Sequence, residues 1–256
     1  MRIYLLLLSK NCKFFILFLI LIFNSKLAYS QRLIRIGKEE MKNKNYIQAI
    51  ETLSDAIKKY PKVQLGYYFL SIAYRENNQL TEAEGALLDG IAVGGEIDYI
   101  LYYELGNIMF NRGEGYYPLA IKYYSNSIKS KPNYDSALLN RANAYVQQGK
   151  ITSKEKEYQK AWDSYTMAIH DYSQFITLRS KTEKKDSILL IISYLRNEKI
   201  NLEKIDKSLK GRTEHIVYAK EDKNQILKDG FKDNLETNSL IELEKLNWQE
   251  ELHIDE

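Results

Sequence analysis

Cysteine is nearly absent: the chain of 256 residues holds one, Cys12. A disulfide within the chain needs two, so none can form, and a zinc site of paired thiolates is equally excluded. Proline is scarce at three residues and glycine at twelve. β-Sandwiches need turn residues every few positions and low-complexity linkers are rich in both types, so neither class fits. The three histidines, His170, His215 and His253, lie in separate segments. None has the HxxxH or HExxH spacing that places two ligands on one helix face. Phosphate loops are missing too. Residues 90–95 lack GxGxxG spacing, and Gly149-Lys150 lacks the rest of a Walker motif. No cofactor, metal or catalytic residue is therefore expected.

The N-terminus carries what looks like an address. Arg2, Lys10 and Lys13 precede an unbroken apolar run, residues 14–23, and Ala28-Tyr29-Ser30 follows. A basic start, a ten-residue apolar stretch and a small-residue cleavage pattern predict a secretory signal peptide over residues 1–30. Ten helical residues span about 15 Å, half of a hydrocarbon core of about 30 Å. Lengthening the run back to Ile3 would place Lys10 and Lys13 in lipid, at about 2.5–3.5 kcal/mol each. Removal of the segment takes away Arg2, Lys10, Lys13 and Lys26, so 37 basic residues become 33 against 34 acidic ones. The formal charge of +3 then becomes −1, and the compositional argument for nucleic acid disappears. Membrane contact is expected only if residues 1–30 stay on the chain. The expected destination is the periplasm or the exterior, in association with the cell envelope.

What is present is a repeat. Ala49, Ala83, Ala120 and Ala161 share one context, with Tyr46, Leu80, Tyr117 and Tyr158 three residues before them. Leu53, Leu87, Tyr124 and Tyr165 follow four residues later, and Ala56, Gly90, Ser127 and Ala168 seven later. Another small residue lies upstream of each: Gly37, Ser71, Gly106 and Ala142. Offsets of 3, 4 and 7 are the helical period, so each unit reads as two amphipathic helices that cross closely at the small residues. Pro61 and Pro132 close two of the units. Thr81 with Glu84 reads as a capping box opening the second helix of unit two. Small residue to alanine measures 12, 12, 14 and 19 residues, whereas alanine to the next small residue measures 22, 23 and 22. This spacing predicts that the turn region inside units three and four grows by two and seven residues, near 112–115 and 150–157. Longer helices meeting at a tolerated turn are favoured over a protrusion that contacts a partner.

The fixed small, aromatic and proline positions resemble the tetratricopeptide repeat, most closely from Tyr102 through Ala120 to Pro132-Asn133. The resemblance implies an all-α fold, a right-handed superhelical solenoid of antiparallel helix pairs, with about four units over residues 31–181. Residues 182–256 are expected to form a helical cap and an acidic tail. Within them 187–195 is almost wholly apolar, and 213–256 holds five basic and twelve acidic residues. Ser239 with Glu242 would cap a last helix carrying Leu240, Leu243 and Leu246.

In that family the first helices line a concave groove. The matching positions are Lys38 beside Ile34 in unit one, Tyr68, Ile72 and Arg75 in unit two, and Tyr103, Asn107 and Phe110 in unit three. Unit four supplies Leu139, Asn143 and Val146. The basic clamp by which some members hold a terminal carboxylate is missing, since Ile34, Ile100 and Ser136 stand at such places. The resemblance implies a noncatalytic adaptor or scaffold that binds a peptide segment or subunit of an envelope or secretion assembly, with a protein partner and no nucleic acid. Two other readings stay open: a structural subunit that associates with itself, and an enzyme with its site in 182–256 and repeats that recruit substrate.

Overall fold

The computed structural model describes residues 30–210. The expected signal sequence up to residue 29, the acidic tail 213–256 and the Ser239 cap lie outside the described residues. Among the described residues all regular structure is helical. Helix α1 covers residues 30–42. It is followed by α2 (Tyr46–Lys59), α3 (Gln64–Glu76), α4 (Leu80–Val93), α5 (Asp98–Arg112) and α6 (Tyr117–Ser130). Then come α7 (Asp135–Lys154), α8 (Tyr158–Leu178), α9 (Lys185–Ile205) and a 3₁₀ turn at Lys207–Leu209. The fold is all-α, a helical solenoid of repeated helix pairs. No described helix is long and apolar enough to cross a membrane. The chain forms two compact units, the first ending at Ile108 and the second beginning at Met109.

In the first unit, Ala49, Leu53 and Ala56 fall on the buried side of α2. Each Leu or Ile so buried contributes about 1.5–3 kcal/mol, which is why the 3/4/7 spacing is kept. Gly37 permits the α1–α2 crossing: a Cβ there would stand 2.6 Å from Leu53 Cγ. The three-residue turns after α1 and α3 share one construction. Lys44 and Asn78 take left-handed φ values of 62° and 59°. The next residue's N–H reaches back five residues, Asn45 to the Glu40 carbonyl and Gln79 to the Tyr74 carbonyl, both at 2.8 Å. That closure sets where the second helix starts. It overrides the expected capping box, because α4 begins at Leu80 behind Gln79 with no side-chain cap, and Thr81 lies inside its first turn. Pro61 follows the end of α2 as expected, since proline cannot extend the ladder.

The second unit corrects the register of unit four. Lys156 has φ 64°, and the Glu157 N–H meets the Thr152 carbonyl at 2.8 Å, so 155–157 is the same turn. Lys44 and Asn78 lie seven residues after Gly37 and Ser71, and seven residues before Lys156 stands Gly149, not Ala142. Packing agrees. A Cβ on Gly149 would meet Tyr165 Cε1 at 2.4 Å, repeating the Gly37–Leu53 approach at the same separation of sixteen residues. The unit therefore keeps its twelve-residue spacing, from Gly149 to Ala161. The surplus sits at the start of α7 and the end of α8, which measure 20 and 21 residues against 13 and 14 for α3 and α4. Ala142 misleads because seven residues are two turns, so it shares the face of Gly149. Between α5 and α6 the longer turn is real, and Gly113 and Gly115 accommodate it at φ 83° and 89°.

The apolar run 187–195 is helical, inside α9. Ile188, Ile191, Ile192 and Leu195 join Trp162, Tyr165, Tyr172 and Phe175 of α8 in one core cluster. Lys199 Nζ lies 3.9 Å from the centre of the Trp162 ring, and Trp162 Nε1 donates to Glu203 Oε1 at 3.1 Å. This cation–π contact and hydrogen bond join α9 to α8 across residues far apart in the chain.

Candidate functional site

In the first unit, α3 carries Tyr68, Ile72 and Arg75 at spacings of 4 and 3, which keeps them on one stripe. Tyr68 is buried, and Ile72 and Arg75 are half-buried. Tyr103 and Asn107 of α5 are half-buried as well, while Lys38 of α1 is exposed with Nζ 4.9 Å above the Phe69 ring. Arg75 Nη1 donates to Glu104 Oε2 at 2.7 Å, and Asn107 Nδ2 approaches the same oxygen at 3.5 Å. Glu104 is only 3% exposed. Burial pushes its carboxyl above the ordinary range, against the pull of the Arg75 charge and of the hydrogen bonds from Asn107 and Arg75. The Tyr68 hydroxyl is pushed far up, first by burial and then by the Glu104 charge.

Glu104 was missed in the sequence. The available signal was an ionisable residue among Leu101, Leu105 and Ile108, the buried stripe of α5. An acid at such a position needs a partner, because an unpaired buried charge is costly. The partner, Arg75, lies 29 residues away and no local pattern links the two.

The second unit treats the equivalent positions differently. Phe110 is half-buried, its ring 5.4 Å from that of Tyr117. Leu139 and Val146 belong to the core cluster, and Val146 has no exposed surface. Asn143 is 3% exposed and accepts a hydrogen bond from the Tyr172 hydroxyl at 2.5 Å. Tyr172 and Phe175 lie in the seven-residue excess of α8, so lengthening this helix pair supplied a cover for the α7 face. As folded, Asn143 and Val146 offer a ligand almost nothing. The sequence reading of those positions did not anticipate this burial.

A second ion pair lies close by. Arg141 donates from Nε and Nη2 to the two oxygens of Asp171, both at 2.7 Å, and from Nη1 to Ser125 Oγ at 3.0 Å. Asp171 is fully buried, and burial raises its carboxyl pKa against the hydrogen bonds and charge of Arg141. His170 Nδ1 stands 3.9 Å from Asp171, beyond hydrogen-bond reach, and burial lowers the imidazole pKa. A histidine oriented by an aspartate is the base of a nucleophilic triad. Here Arg141 occupies both oxygens, so the pair braces α7 against α8. Among the described residues no group of three or more acidic, histidine or cysteine side chains gathers as a metal site.

The first unit thus offers aromatic edge, an aliphatic side chain, an amide and an oriented guanidinium, which are groups for recognition. The profile of the tetratricopeptide repeat family matches residues 34–96. Among solved structures, MamA is similar at 17% identity, with 70% of this chain and 94% of that one covered and a TM-score of 0.44. YrrB, described as a TPR protein with an unusual peptide-binding site, shows 14% identity, 68% and 90% coverage and a TM-score of 0.41. PilW, described as a type IV pilus biogenesis factor, shows 16% identity, 71% and 86% coverage and a TM-score of 0.41. No curated protein matches the chain.

Proposed function

We propose that this chain, a tetratricopeptide-repeat protein, is a noncatalytic adaptor that holds a peptide segment of a protein partner on the α3–α5 face of its first unit. The observation that carries this reading is the Arg75–Glu104–Asn107 cluster. A buried carboxylate fixes a guanidinium that keeps part of its surface, beside Ile72 and Tyr103. An arginine already held in place loses little freedom on meeting a ligand, and neighbouring aromatics add contact area at low entropy cost. Lys38 and Tyr68 belong to the proposed site as its flanks; in the second unit Phe110 is a separate candidate position, and Leu139, Asn143 and Val146 are weaker candidates there because they are buried. The division into a signal segment (1–30), a repeat array (31–181) and a C-terminal extension (182–256) is part of the proposal. So is a place at the cell envelope, which rests on the N-terminal sequence.

Site-specific photocrosslinking in native cells tests it. A benzophenone residue at Ile72 or Tyr103 is expected to trap a partner, and one at Ile47, 63% exposed on α2, to trap none. Replacing Tyr103 and Asn107 with alanine together should weaken the partner at least tenfold with helical circular dichroism unchanged, as for paired interface residues of about 1 kcal/mol or more each. Adducts confined to Ile47, or surviving the double substitution, would refute the reading.

A further inference from the structure

The charge of the chain is not evenly spread. Residues 30–108 carry 9 basic and 11 acidic side chains, a net of −2. Residues 109–210 carry 18 and 11, a net of +7, and residues 213–256 carry 5 and 12, a net of −7. The second unit and the segment that leaves it are therefore of opposite sign and equal size.

The last described helix, α9, has a stripe suited to that segment. Its inward residues Ile188, Ile191, Ile192, Leu195 and Leu202 are buried. On another face, Leu189, Ser193, Arg196, Ile200 and Lys204 recur at spacings of 4, 3, 4 and 4, a single helical stripe. Leu189 and Ser193 are half-buried, Arg196 and Lys204 are exposed, and Ile200 is 49% exposed. Aliphatic and cationic side chains thus alternate along it. Residues 236–250 carry the matching set: Leu240, Leu243 and Leu246, interleaved with Glu242 and Glu244 and flanked by Glu236 and Glu250.

Reach is favourable. From Lys210 to Leu240 is 30 residues. Thirty residues reach at most about 100 Å when fully extended. Ile200 lies five residues before the end of α9 at Ile205, about 7.5 Å of helix, with the Lys207–Leu209 turn beyond it. A segment on the same chain within that reach meets its site intramolecularly, which raises the occupancy of even a weak contact.

We propose that residues 236–250 of this chain dock on the Leu189–Lys204 stripe of α9, with leucines against Leu189 and Ile200 and glutamates against Arg196 and Lys204. The segment covers the end of the second unit, a surface that would otherwise be open to association, as uncapped repeat ends are. The contact is independent of the adaptor reading.

Pulsed electron-spin distance measurement on the full chain tests this. With Cys12 replaced by serine, Asn197→Cys and Asn247→Cys accept the only two spin labels. One short, narrow distance is expected at low salt and a broad one near 1 M, where screening acts over about 3 Å. Ile200→Asp should abolish the short distance, as should Arg196→Glu with Lys204→Glu. Adding Glu242→Lys and Glu244→Lys to that charge reversal should restore it. A broad distribution at low salt, or a short distance that survives Ile200→Asp with helicity intact, overturns the proposal. Loss of the short distance on dilution with unlabelled chain overturns it as well, by assigning the stripe to a second copy.

Discussion

Among the described residues each unit buries one arginine–carboxylate pair, and the two are built differently. In the second, Arg141 meets both oxygens of Asp171 through Nε and Nη2, and its Nη1 donates to Ser125 Oγ. In the first, Arg75 reaches Glu104 through Nη1 at 2.7 Å, and both Nε and Nη2 lie 3.4 Å from the more exposed Glu76. Two short bonds to a fully buried carboxylate brace two helices, whereas one short bond to a buried carboxylate and two long ones to an exposed carboxylate hold a cation nearer the surface. The helix lengths follow the same division. Short α3 and α4 leave the α3 stripe partly open, and the seven extra residues of α8 put Tyr172 over Asn143. One repeat thus leaves its first-helix stripe partly open or buries it, according to how far its second helix runs.

The largest effect is expected at the brace. Asp171→Ala leaves the mostly buried Arg141 without its partner and should cost about 3–5 kcal/mol, read from thermal or urea unfolding. Glu104→Ala should cost less, because Arg75 has more access to water. The opposite order would break the comparison between the two pairs.

A smaller effect separates the two accounts of unit four. Gly149→Ala and Gly37→Ala place a Cβ against Tyr165 and Leu53 and should each cost about 1–3 kcal/mol in denaturant unfolding. Gly85, with nothing within 4 Å of an added Cβ, is the control, and Gly85→Ala should gain about 0.5–1 kcal/mol from helix propensity. If Gly149→Ala behaves like the control, the shifted register is wrong.

The smallest effect is a pH dependence. Burial holds the Glu104 carboxyl above the ordinary value of 4.5 in the folded chain. Between the unfolded and folded values the folded state binds the additional proton, so the Glu104 contribution to stability rises as pH falls from neutral through that window. Below the unfolded value it levels off. Melting temperatures measured between pH 7 and pH 4 should therefore show the parent gaining on Glu104→Gln as pH falls. Parallel curves would mean that the carboxyl is not displaced.

Much of the fold was legible because its signals are local. Tyr46-to-Ala49-to-Leu53 spacing reads as a helix face wherever it occurs, and Pro61 ends a helix by its own covalent structure. The first-unit stripe of Tyr68, Ile72 and Arg75 follows from the same period. The capping box at Thr81 failed because backbone closure of the preceding turn chose the helix start. The register of unit four failed because Ala142 and Gly149, two turns apart, are interchangeable to a periodic reading and only one faces Tyr165.

The sequence by itself determined that this chain is helical, repeated and poor in cysteine and histidine, since composition and periodicity act over a few residues at a time. The tertiary structure decided which small residue lies at each crossing, that Glu104 has Arg75 for a partner, and that Asn143 and Val146 are core. Those outcomes depend on side chains 16 to 29 residues apart meeting in space. Burial and pairing are properties of that meeting, which no single segment encodes.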